Sequence, residues 1–93
     1  MTRQESAQIL ALRALAWLAA DDDRIAAFLA QTGMGAAELR AAAADPEVLA
    51  AVLDFLLADE DSLLGFCAET GLPPEEPMRA RTALPGGDLP NWT

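Results

Sequence analysis

Residues 45–58 read Asp-Pro-Glu-Val-Leu-Ala-Ala-Val-Leu-Asp-Phe-Leu-Leu-Ala, and this stretch decides the fold class. Asp45 supplies a carboxylate that can cap free amides. Pro46 follows where a missing N–H and a fixed φ suit the first helical position. Val48, Leu49, Val52, Leu53, Phe55, Leu56 and Leu57 then leave only Glu47, Ala50, Ala51 and Asp54 to face water. The run shows no period-2 alternation and is too long for a buried strand, so it reads as a central helix.

Upstream, Thr2-Arg3-Gln4-Glu5 is a capping box that opens a helix running to about Ala20. Ile9, Leu10, Leu12, Leu15, Trp17 and Leu18 cover most of its circumference, which predicts a second central helix. A further helix starts after Asp21 or Asp22 and stops at Gly33, with Ile25, Phe28, Leu29 and Thr32 on one face. A short one over Ala36–Ala44 has Leu39 as its sole large anchor. Downstream, Asp59–Gly71 carries Leu63, Phe66, Cys67 and Thr70 on one face. Pro74–Leu84 is charged, with Met78 its main apolar contact, and Pro85-Gly86-Gly87 ends it. The expectation is all-α: a compact bundle of about six short helices in one domain over residues 1–87, followed by a tail at 88–93.

Residues 21–34 can be laid on residues 59–72 without a gap. Asp21, Asp23, Phe28, Ala30, Thr32 and Gly33 meet identical residues, and the same displacement of 38 positions puts Leu15, Trp17 and Leu18 on Leu53, Phe55 and Leu56. This predicts two tandem three-helix units packed on each other, since two units are too few for an extended solenoid.

The chain has 93 residues, 53% of them apolar, but much of that share is alanine, which favours helix while burying little area. Its formal net charge is −9 with no lysine, which argues against nucleic acid and anionic membrane surfaces as partners. Another protein is the expected partner, and a homodimer fits a domain short of large core residues. Cys67 is the lone cysteine, so no intramolecular disulfide forms. The apolar stretch from Ile9 to Ala20 is interrupted by Arg13 and too short to span a bilayer, which leaves a cytoplasmic location as the expectation.

Asp21-Asp22-Asp23 and Asp59-Glu60-Asp61 are the most conspicuous chemistry. Asp21, Asp23, Asp59 and Asp61 could offer oxygen ligands to calcium or magnesium, yet neither cluster has calcium-loop spacing. Helix capping and the helix dipole account for both clusters equally well. Cys67 has no histidine anywhere in the chain to activate it, and its counterpart Leu29 is a core position, so a buried, inert thiol is expected. Trp92, in the tail, either packs back on the bundle or docks elsewhere as a short binding motif.

Several blocks carry a resemblance: Leu12 through Trp17-Leu18-Ala19, Phe28 through Gly33, Ala51 through Leu57, Phe66-Cys67-Ala68, and Leu84-Pro85-Gly86. In this order they resemble a small alphaproteobacterial family catalogued as domain of unknown function 3572, over about Gln8 to Gly87. The resemblance implies a bacterial, cytoplasmic helical domain without an assigned activity, and it transfers no catalytic or binding residue.

With no histidine, no cofactor motif and no required cofactor, the chain reads as a non-enzymatic helical interaction or regulatory module. The alternative is a carboxylate-based binder of a small molecule or divalent metal.

Overall fold

Short side chains and strong punctuation set the helix boundaries. The computed structural model describes residues 2–85. It contains α1 (Arg3–Ala19), α2 (Asp22–Thr32), α3 (Ala36–Ala41), α4 (Pro46–Ala58), α5 (Glu60–Thr70) and α6 (Glu75–Thr82), with no strand among the described residues. The Thr2 hydroxyl accepts from the Glu5 amide at 3.0 Å, and the Thr2 amide donates to the Glu5 carboxylate at 2.8 Å. Asp45 accepts from the Glu47 amide at 2.9 Å beside Pro46. Gly33 and Gly71 end α2 and α5 at φ of 77° and 76°, a left-handed geometry that residues with a Cβ adopt only under strain.

The helices pack into one globule with a radius of gyration of 12.6 Å, against about 12 Å expected for a single domain of this length. α1 and α4 lie at its centre, and α6 packs on both. α4 buries Leu49, Ala50, Val52, Leu53 and Leu56. α1 meets them with Ala7, Ala11, Ala14, Trp17 and Leu18. The three alanines let neighbouring backbones approach closely, so α1 faces the core with its small side chains.

α1 is central, as its apolar circumference predicts, but not all of its large side chains are enclosed. Ile9 is 47% and Leu12 42% exposed, while Leu10 and Leu15 are half-buried. Larger side chains on the inner seam would have held α1 away from α4 and α6. The same reasoning corrects Ala50, expected to face water but 4% exposed, and Ala51, which is half-buried.

α3 stops at Ala41 instead of Ala44, because beyond Leu39 it has no large side chain to hold a further turn. α6 is shorter than expected too, and its anchors are Pro77 and Ala80, with Met78 50% exposed. Pro77 sits in the first turn, where backbone amides have no intrahelical partner, so the ring is tolerated there and turned inward.

The two segments displaced by 38 positions share local geometry. Thr32 and Thr70 each donate to the carbonyl four residues back, Phe28 at 2.9 Å and Phe66 at 2.8 Å. Phe28 and Phe66 are both fully buried. The correspondence stops at the third helices: α6 packs extensively on α1 and α4, whereas α3 has no comparably extensive partner.

Candidate interaction surface

Among the described residues no polar or charged side chain is buried apart from the indole of Trp17. Trp17 donates its Nε1–H to Glu69 at 2.7 Å, the Arg24 guanidinium lies 3.8 Å from its ring centroid, and Phe66 meets it edge-on. This cluster ties α1, α2 and α5 together, and the buried indole N–H has its partner in Glu69.

The acidic clusters sit at helix starts. Asp21 Oδ1 accepts from the amides of Asp23 and Arg24 at 2.9 and 3.1 Å. Asp59 stands at the N-cap position of α5, but its side chain accepts from the Ser62 hydroxyl at 2.7 Å and from no backbone amide. Asp23 and Asp61 are exposed in the first turns of α2 and α5. Among the described residues no three His, Cys, Asp or Glu side chains converge as metal ligands, so the four candidate carboxylates are not brought together.

Cys67 is 6% exposed. Burial pushes its thiol pKa up, and the negative charge of Glu75 pushes the same way, so its nucleophilic thiolate is disfavoured. Trp92 lies outside the described residues.

Two concave features stand out among the described residues. A cleft of about 280 Å³ lies between the first half of α1 and α6, rimmed by Thr2, Arg3, Glu76 and Arg79. Arg79 is already paired with Glu76 at 3.1 Å. The larger groove, about 390 Å³, runs between α1, α2 and α3. Leu15, Ile25, Leu29 and Leu39 form its floor, with Arg40 as the one charged residue lining it.

The groove adjoins the outer face of α1. Ile9, Leu12, Ala16 and Ala19 are all exposed there, spaced 3, 4 and 3 residues apart along one side of the helix. Ala19 belongs to both features. The outer side of a surface helix is ordinarily polar. Here it continues an apolar groove into one surface.

None of the candidate carboxylates lines this groove. Its signal in the sequence is the excess apolarity of residues 9–20, more than a single buried face requires.

Capped helices, an inert thiol and an outward apolar face define a small all-helical domain distinguished by its surface. The chain belongs to the family described as "Protein of unknown function (DUF3572)", whose model matches residues 4–87. No curated protein and no solved structure matches the chain. No helix among the described residues is long and apolar enough to cross a membrane.

Proposed function

We propose that this protein is a non-enzymatic interaction module that docks through the outer face of α1 and the adjoining α1–α2–α3 groove. The observation that carries this reading is the exposure of Ile9 and Leu12 on the helix that also supplies the centre of the core. Covering two large aliphatic side chains is favourable by roughly 1–2 kcal/mol each, which suits a reversible contact. A carboxylate-based ligand site draws no comparable support, because Asp21 and Asp59 are engaged at the helix starts. A cytoplasmic setting belongs to the same reading, since the lone cysteine is buried and unpaired.

The test is affinity capture from a lysate with the native chain and with Leu12→Glu, after circular dichroism shows equal helicity. Proteins retained by the native chain and lost with Leu12→Glu are the expected result. Identical retention by both chains contradicts the reading.

A further inference from the structure

We infer that the occupant of the outer α1 face is a second copy of this chain, held through an antiparallel α1–α1 pair; this rests on the docking reading above. The first argument is shape. Along the exposed face the large residues Ile9 and Leu12 occupy the first half and the small residues Ala16 and Ala19 the second. A two-fold axis at the level of Ala14 reverses the order, laying Ile9 on the partner's Ala19 and Leu12 on the partner's Ala16. Each large side chain then meets a small one, so the separation of the two helices stays even along the contact. A parallel pair would set large on large at one end and small on small at the other. The 3-4-3 spacing is also the one that keeps a seam facing its partner in two-helix packing.

The second argument is charge. Each copy carries a formal net charge of −9, so two copies repel wherever acidic surfaces meet. From Ser6 to Ala20 the chain has no Asp or Glu, and this segment presents the apolar face. It is therefore a surface on which two copies approach without acidic side chains of this segment meeting. The charges that meet in this arrangement are like on like: the two copies of Arg13 lie near the axis, and the net negative charge of each copy repels the other. Salt screens this repulsion without weakening the apolar contact, so association tightens as ionic strength rises.

The third argument is size. α1 has 17 residues, about 25 Å of helix, and such a pair buries on the order of 1,000 Å², the low end for specific contacts. A contact of this size suits a reversible dimer.

Sedimentation equilibrium of the full chain from micromolar to millimolar concentration tests this. The average mass is expected to rise from monomer to dimer, to do so at lower concentration in higher salt, and to stay monomeric for Leu12→Glu. Orientation is read by disulfide trapping on a Cys67→Ala background with oxidised glutathione as oxidant. Mixing equal amounts of a Leu12→Cys chain and an Ala16→Cys chain is expected to give the mixed disulfide well beyond the twofold statistical excess over either homodisulfide. A native chain that stays monomeric throughout, a dimer indifferent to Leu12→Glu, or prevailing homodisulfides overturns the inference. If the chain is monomeric but Leu12→Glu still abolishes capture of other proteins, self-association falls and the docking reading stands. If capture is also unchanged, both fall.

Discussion

Trp17 of α1 meets Phe66 of α5 edge-on, ring centroids 6.0 Å apart and planes at 70°. Thirty-eight positions along, Phe55 of α4 meets Phe28 of α2 in the reverse sense, at 5.6 Å and 85°. Each central helix thus sends an aromatic to the outer helix of the other half of the chain, and the two contacts cross-link the halves. Edge-to-face pairs contribute about 0.5–1.5 kcal/mol each beyond area burial. The corner around Trp17 is also closed by Gly65, whose backbone leaves room for the indole.

Gly65→Ala probes that corner. A Cβ at Gly65 would sit 3.1 Å from Trp17 Cζ2. The indole cannot easily give way, because Glu69, Phe66 and Arg24 hold it on other sides. Alanine gains about 1 kcal/mol of helix propensity, but overpacking costs about 1–3 kcal/mol. Chemical denaturation should show a net loss of about 1 kcal/mol, and a gain in stability would contradict this account of the corner.

The ion pair Arg81–Asp54 joins α6 to α4, with Nε–Oδ1 at 2.6 Å and Nη2–Oδ2 at 3.2 Å. The Asp54 side chain is 59% exposed, so solvent screening limits the pair. A double-mutant cycle with Arg81→Ala and Asp54→Ala should give a coupling of about 0.5–1 kcal/mol that shrinks in high salt. A salt-independent coupling of several kcal/mol would be inconsistent with this exposure.

Cys67 should resist thiol reagents in the folded protein and react at the rate of ordinary unfolding. Its pKa is raised by burial and by Glu75, so the folded chain holds the thiol proton at a pH where the unfolded chain has released it. That contribution to stability is full below the unfolded thiol's pKa and is lost as pH rises through the folded one. Denaturation midpoints from neutral to strongly alkaline pH, compared between native and Cys67→Ala chains, should show a steeper alkaline fall in the native chain. Parallel curves would remove Cys67 as the cause.

Thr2→Ala removes the hydroxyl that accepts from the Glu5 amide and should cost about 1 kcal/mol in thermal or chemical unfolding. The loss falls on α1, so hydrogen exchange should rise first in its opening turn. Unchanged exchange there would show that packing, not the cap, holds that end.

Much of the fold was legible because it is written in local signals. The Thr2–Glu5 box, Asp45-Pro46, Gly33 and Gly71 mark boundaries through backbone chemistry that needs no tertiary context. The errors arise where packing decides. Periodicity shows that α1 is apolar on several sides, but not that Ala7, Ala11 and Ala14 form its inner seam while Ile9 and Leu12 turn outward. Similarly, Met78 looked like the anchor of α6 because it is large, whereas Pro77 and Ala80 fit the close approach to α1 and α4. The candidate surface was hidden for the same reason: it combines the outer side of α1 with Ile25, Leu29 and Leu39 from two other helices.

The most direct test of that surface is photo-cross-linking in intact cells that produce the protein, from benzophenone residues placed singly at Leu12, Ala16 and Glu47. Glu47 is exposed in the first turn of α4, outside the proposed surface, and serves as the control. The account predicts discrete adducts from positions 12 and 16 and none from 47. No adduct from 12 or 16, or the same adducts from all three positions, would contradict it.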